Sequence, residues 1–253
     1  MEGYTAENKY VKTLSIPCYY TDASFRLKAA SFMDLMQEMA YLAANELHFG
    51  YDDLQTHHTA WVLSRMHFSF ENPPLWRDEI QIQTWHKGLD GLFFLRDFRV
   101  LDKEGKEALK ATTSWIVINV ETRRLVRSND VLDMVPETTQ CKDNAIAEPA
   151  GKVVMPKDVP AEKVAEHVVS YSDVDIIGHT NNARYMVWAM DCIDYSETSS
   201  RSVRDVVINF NRETKPGETV ELYRARVENG GSVTYYIEGM VDGKSAFCIQ
   251  IGF

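Results

Sequence analysis

Cysteine is scarce in this chain: Cys18, Cys141, Cys192 and Cys248 are scattered through 253 residues with no paired spacing. That distribution argues against a disulfide framework and against cysteine-built zinc sites, and leaves buried or incidental thiols. Positive charge is also in short supply. Lys and Arg number 27 against 37 Asp and Glu, a net charge of −10, which disfavours nonspecific nucleic-acid binding but leaves room for a local basic patch facing an acidic partner. No run approaches the ~18 apolar residues of a membrane span. Met1 to Asn8 shows no basic stretch leading into an apolar one. The expectation is a soluble, cytoplasmic protein without a membrane or nucleic-acid partner. Also missing are a Gly-x-Ser-x-Gly elbow, a Gly-x-Gly-x-x-Gly turn, a Walker-type loop and a His-Glu-x-x-His helix. No metal or nucleotide cofactor is expected, and the adjacent His57 and His58 read as solvated loop residues.

What is present is enough apolar sequence to bury substantial cores, 45% hydrophobic with 25% charged, and it is arranged twice. Phe70, Ile80, Ile82 and Asp102 lie 140 residues before Phe210, Val220, Leu222 and Asp242, with no gap across that stretch. Further upstream, Asp22 and Phe32 stand 153 residues before Asp175 and Tyr185, so the first copy carries 13 extra residues, placed here in the loop His48 to Thr59. Two copies are too few for a solenoid and predict a fused pair of similar domains, 1–139 and 164–253. Residues 140–163, with Pro149, Pro156 and Pro160 and little periodicity, read as the linker.

From Ser31 to Leu47, the residues Phe32, Leu35, Met36, Met39, Leu42, Ala43 and Leu47 recur at helical spacing, which predicts a long, largely buried helix. Its counterpart runs from about Asn182 to Ser196, with Asn181 or Thr180 available as N-cap. Alternating segments follow each helix, such as Glu79 to Gln83 and Thr219 to Tyr223, then Phe93 to Leu101 and Val233 to Val241, and these read as strands. Hairpin turns are expected at Asp102 to Gly105 and at Asp242 to Lys244. A meander with one apolar face buries that face against its helix, so the class is α+β, each copy a long helix wrapped by a curved antiparallel sheet.

The copies differ where the chemistry is concentrated. Asp173 to Asn182 gathers acids, an imidazole and two amides just before the second helix. His179 corresponds to Arg26, which cannot exchange a proton near neutral pH. Glu213 corresponds to Pro73, so that carboxylate exists only in the second copy. Asp175 has a counterpart in Asp22, as a shared structural turn would require. On spacing alone, Asp175 reads as a cap or turn acid, His179 as a hydrogen-bonded structural residue and Glu213 as a solvated strand-end charge.

Taken together these residues resemble the acyl-acyl-carrier-protein thioesterases of bacterial type. The resemblance spans nearly the whole chain: Trp61 to Met66, Pro74 to Asp78, Ser114 to Val117 with Thr122 to Leu125, the Asp175 to Asn182 segment, and Asn211 to Thr214. Several separated matches in order are more specific than any one. It implies two tandem hot-dog domains and hydrolysis of a fatty acyl thioester to free acid and acyl carrier protein. The site it implies comprises Glu213 as general base for water, His179 as a proton-exchanging partner, and Asp175 orienting or polarising the histidine and the helix start. Asn181 and Asn182 are not separable: one caps the helix, while the other holds the thioester carbonyl or the water. Plant members carry an asparagine where Ile177 stands and a cysteine where Thr214 stands. Isoleucine can neither donate nor accept a hydrogen bond, so that amide's role passes to Asn181, Asn182 or a backbone group, or the mechanism differs in detail. A covalent cysteine mechanism at residue 214 is impossible here.

The fatty acyl chain is expected in a tunnel walled by the first helix, including Met33, Met36 and Met39. Arg123, Arg124 and Arg127, with Lys103, Lys106 and Lys110, concentrate positive charge in an acidic chain. They read either as a solvated surface or as a dock for acidic carrier protein. Hydrolysis of coenzyme A thioesters and non-catalytic acyl binding are the alternatives. A homodimer stays open, although tandem domains supply within one chain the pairing that single domains obtain by dimerising.

Overall fold

In the computed structural model, residues 2–127 and 135–253 are described. The first copy opens with β1 (Glu2–Tyr4) and β2 (Tyr10–Ser15), then α1 (Ala29–Glu46) and α2 (Tyr51–Thr56), then β3 (Thr59–Phe70), β4 (Glu79–Asp90), β5 (Phe93–Asp102) and β6 (Glu107–Asn119). The second follows with β7 (Glu162–Val168), α3 (Asn182–Asp191), α4 (Tyr195–Ser200), β8 (Asp205–Phe210), β9 (Thr219–Asn229), β10 (Ser232–Val241) and β11 (Lys244–Gly252).

Among the described residues the strands form one antiparallel sheet in the order β1-β2-β4-β5-β6-β3-β8-β11-β10-β9-β7. The halves β2-β4-β5-β6-β3 and β7-β9-β10-β11-β8 repeat one topology and meet where β3 pairs with β8, Met66 opposite Ile208. The duplication extends to single hydrogen bonds. The Leu27 amide donates to the Pro74 carbonyl at 2.8 Å, and 153 and 140 residues later the Thr180 amide donates to the Thr214 carbonyl at 3.1 Å. The bridge Thr21 to Leu27 likewise recurs as Val174 to Thr180.

The apolar faces of both half-sheets close over α1 and α3, burying Phe32, Met36, Phe68 and Ile82 with Tyr185, Met186 and Phe247 in one cluster. Ala44, Phe49, Phe94 and Val117 form a second cluster around the C-terminal end of α1. Two details depart from the sequence reading. The helix expected over Asn182 to Ser196 stops at Asp191. Asp194 adopts extended geometry and its carbonyl accepts the amides of Glu197 and Thr198, which starts α4 as a separate helix. The extra length of the first copy is not a loop: α1 has 18 residues against 10 in α3 and β3 has 12 against 6 in β8, while α2 and α4 are both six residues long.

The segment read as a linker lies docked along the sheet. Asp143 pairs with Lys9 at 2.6 Å and Arg99 at 2.8 Å, and these cations hold its carboxyl down at about 2. The Ala145 amide donates to Asp97, Lys87 donates to the Ile146 carbonyl, and the Val153 amide donates to Asn209. Among the described residues no helix is long and apolar enough to cross a membrane.

Candidate active site

The turn before α3 is built by Asp175. Its Oδ1 accepts the amides of Ile177 at 3.0 Å and His179 at 3.4 Å, while its own amide donates to the His179 carbonyl at 2.9 Å. Gly178 sits inside this turn at φ +80°, a left-handed conformation that glycine adopts without steric cost. Asp22 makes the same turn in the first copy, accepting the amides of Ser24 and Arg26 at 2.8 and 3.0 Å. Asp175 thus fixes the backbone of His179 through local hydrogen bonds that the two copies share.

From that turn the His179 imidazole faces Glu213. Nε2 lies 3.7 Å from Glu213 Oε2, and Nδ1 is buried without a hydrogen-bond partner among the described residues. Glu213 stands in the loop after β8, tied down on both sides. The amides of Asn211 and Arg212 donate to the Ala246 carbonyl at 2.8 and 2.9 Å, and the Lys215 amide donates to Glu218 at 2.8 Å. Behind the carboxylate, the Thr214 hydroxyl shares hydrogen bonds with those of Thr180 at 2.6 Å and Tyr185 at 3.1 Å, and the Thr214 amide donates to the Tyr185 hydroxyl at 3.1 Å. Thr180 and Thr214 are fully or almost fully buried, so this network locks the Glu213 loop to the start of α3.

A third charged group comes from the other copy. Arg123 ion-pairs with Oε2 of Glu213 through Nη2. It projects from the turn after β6, where Asn119 Oδ1 accepts the amides of Glu121 and Thr122 and Arg123 sits at φ +57°. Both His179 and Arg123 therefore address the same carboxylate oxygen, one from each half of the molecule.

The two asparagines separate cleanly. Asn181 is the N-cap of α3, its side chain accepting the Ala183 amide at 2.8 Å. Asn182 instead lines a narrow, almost wholly apolar cleft with Met33, Met36, Leu63, Met66 and Phe98. Met39 is buried on the same helix but does not line that cleft. Just upstream, Asp173 supports the turn. Burial would raise its carboxyl, but hydrogen bonds from His167 at 2.8 Å and from the Ser170 amide outweigh burial and hold it low.

The sequence profile of the acyl-ACP thioesterase N-terminal domain matches residues 7–135, and that of the C-terminal domain matches residues 157–253. The chain belongs to the acyl-ACP thioesterase family. Among curated members, the oleoyl-acyl carrier protein thioesterase of Coriandrum sativum is 24% identical over 250 residues, 93% of this chain and 67% of that protein. The palmitoyl-acyl carrier protein thioesterase of Gossypium hirsutum is 29% identical over 156 residues, 60% of this chain and 38% of that protein. The chain thus spans from two thirds to well under half of these relatives' length. The fold agrees with solved members of the family. An acyl-ACP thioesterase from Bacteroides thetaiotaomicron superposes with a TM-score of 0.78 at 22% identity, covering 98% of this chain and 99% of that one. The 12:0-ACP thioesterase from Umbellularia californica gives 0.79 at 20% identity, covering 96% of each. The tandem hot-dog architecture expected from the resemblance is the architecture found.

Sequence reasoning missed Arg123 as a neighbour of Glu213, and the Tyr185, Thr180 and Thr214 network. The second was within reach by subtraction. Tyr185, Thr180 and Thr214 replace Phe32, Leu27 and Pro74 of the first copy, so three apolar positions became polar only where Glu213 is present.

Proposed function

We propose that this chain hydrolyses the thioester of a fatty acyl group on acyl carrier protein, releasing free fatty acid and the carrier's thiol. The observation that carries the reading is the 3.7 Å approach of His179 to Glu213 beside the start of α3, whose Asn182 lines the apolar cleft against α1. The cleft holds a cavity of only about 10 Å³, so an acyl chain enters it by displacing the flexible side chains of Met33, Met36 and Met66, and the thioester carbonyl then lies at the N-terminal end of α3, where backbone amides and the helix dipole favour developing negative charge. Glu213 accepts the proton of a water as its oxygen attacks the carbonyl carbon. The carbon–sulfur bond of the resulting oxyanion breaks, and the proton taken by Glu213 passes through His179 to the departing sulfur. Asp175 acts by holding the turn that presents His179. Asn182, which lines the cleft, supplies an amide to the carbonyl, a role for which the Ile177 side chain has no polar atom.

Free-thiol release from acyl-ACP and acyl-CoA substrates tests this reading. Glu213→Gln and His179→Ala are each expected to lower kcat about 10²- to 10⁴-fold, as removal of one acid–base group does, with an unchanged thermal melt. Full activity in either folded variant removes that residue from the mechanism.

A further inference from the structure

The first copy reaches into the candidate site with the side chain of Arg123, and the backbone beneath that side chain suits a different residue. After β6 the chain turns back on itself. The Asn119 carbonyl accepts the Arg123 amide at 2.9 Å, the Asn119 amide donates to the Arg124 carbonyl at 2.9 Å, Ile118 bridges Leu125, and the Val126 amide donates to the Val117 carbonyl at 2.8 Å. Inside the turn, Asn119 Oδ1 accepts the Thr122 amide at 2.8 Å and the Thr122 hydroxyl at 2.9 Å. Arg123 closes this hairpin at φ +57°. That is the left-handed region, where a side chain meets a steric cost that glycine does not. An arginine therefore stands where the turn alone selects glycine or asparagine.

The fold gains little from the exchange. The Arg123 side chain is 49% exposed and that of Glu213 29%, and an ion pair so open to water adds almost nothing to stability. What it does reach is the chemistry. Arg123 Nη2 meets Oε2 of Glu213, the same oxygen that lies 3.7 Å from His179 Nε2. Hydrogen bonds from the amides of Asn211, Arg212 and Lys215 fix the backbone on either side of Glu213. They do not reach its carboxylate, and a glutamate side chain turns about three torsions. A planar guanidinium on one carboxylate oxygen removes that freedom.

We propose that Arg123 is a positioning residue for the hydrolysis: it holds the Glu213 carboxylate against His179, so the first copy contributes a working group to the site of the second. The proposal rests on the thioesterase reading, which gives Glu213 the role of base for water. Misplacing that base slows the bound substrate's reaction and leaves its binding intact, so the loss falls on kcat. A residue that docks carrier protein acts differently, on KM and for carrier-bound substrate alone. Arg123 is thereby set apart from its exposed neighbours Arg124 and Arg127.

The test compares wild type, Arg123→Gly and Arg123→Lys in the whole chain, measuring kcat and KM on an acyl-ACP and the matching acyl-CoA together with thermal melts. Arg123→Gly gives the turn a residue its backbone favours, and is expected to melt no lower than wild type while losing about tenfold or more in kcat on both substrates with KM little changed. Arg123→Lys keeps a cation within reach of Glu213 and is expected to fall between the two. Unchanged kcat in Arg123→Gly overturns the proposal, as does a loss confined to KM for acyl-ACP. So does a lowered melt accompanying the loss of kcat, or a lysine variant no better than the glycine one. Arg123→Asn, whose side chain also tolerates left-handed backbone, takes the place of Arg123→Gly if that variant does not fold. Wild type inactive on both thioesters overturns the thioesterase reading and the proposal with it, whereas active wild type with kcat kept in Arg123→Gly overturns the proposal alone.

Discussion

The Tyr185 hydroxyl both accepts the Thr214 amide and shares a hydrogen bond with the Thr214 side chain, each at 3.1 Å. This places a buried residue of α3 directly behind the loop that carries Glu213. Tyr185 also packs its ring on Phe247 at 4.9 Å, so its position is set by the core and transmitted to the loop. Removing the hydroxyl leaves a buried amide without its acceptor, which costs about 1–3 kcal/mol. Tyr185→Phe is therefore expected to lower stability by that amount in urea unfolding and to lower kcat more than it raises KM. A variant with wild-type kcat and wild-type stability removes the network from any positioning role.

How legible this was depends on the kind of relationship. The 140- and 153-residue offsets could be read because equivalent turns need equivalent hydrogen bonds, and the Asp22 and Asp175 turns match bond for bond. Periodicity placed Tyr185 on the buried face of its helix, but a period reports which face is buried and says nothing about where a hydroxyl points. Arg123 reads in the sequence as solvated surface or carrier-protein dock because its partner lies 90 residues away across the junction of the two halves, and no local pattern encodes such a pair. The end of α3 was missed because the apolar spacing runs on through Ile193, while Asp194 breaks the backbone geometry.

The Asp175 carboxylate contacts backbone amides, which separates two roles by choice of substitution. Asparagine retains an oxygen that can accept from the amides of Ile177 and His179, whereas alanine does not. Asp175→Asn is expected to keep most of the activity and Asp175→Ala to lose at least tenfold in kcat, with His179 displaced. If both variants are equally impaired, the negative charge itself acts in the reaction and the turn is secondary.

The basic cluster splits into residues with different tasks. Arg123 is committed to Glu213, and Lys110 pairs with Glu71 at 3.1 Å. Arg124 and Arg127 are exposed and are the better candidates for contact with acidic carrier protein. Arg124→Glu with Arg127→Glu is expected to raise KM for an acyl-ACP several-fold, less so at high salt, and to leave KM for the matching acyl-CoA unchanged. Arg123→Glu is expected instead to lower kcat on both, because it places a second carboxylate against the first. Equal effects of Arg124→Glu with Arg127→Glu on the two substrates reject the docking role.

His86 gives the fold a defined acid sensitivity. Burial, reinforced by Arg96, lowers its pKa from 6.5 to about 4, and its Nδ1 lies 3.2 Å from the Leu95 carbonyl. Between those two values the unfolded chain binds a proton that the folded chain refuses, so stability rises with pH across that window and is lost as pH falls through it. Above about pH 6.5 both states are neutral and the contribution is flat. From pH 7 to pH 5 the expected loss from this one residue is about 2 kcal/mol, following the scale of ~1.4 kcal/mol per pKa unit. Urea unfolding of wild type and His86→Gln at both pH values isolates it, since every other titrating group is common to the two proteins. The variant is expected to lose about 2 kcal/mol less than wild type on acidification. An identical loss in both means that His86 titrates normally, and that the polar layer around Arg96 is open to water.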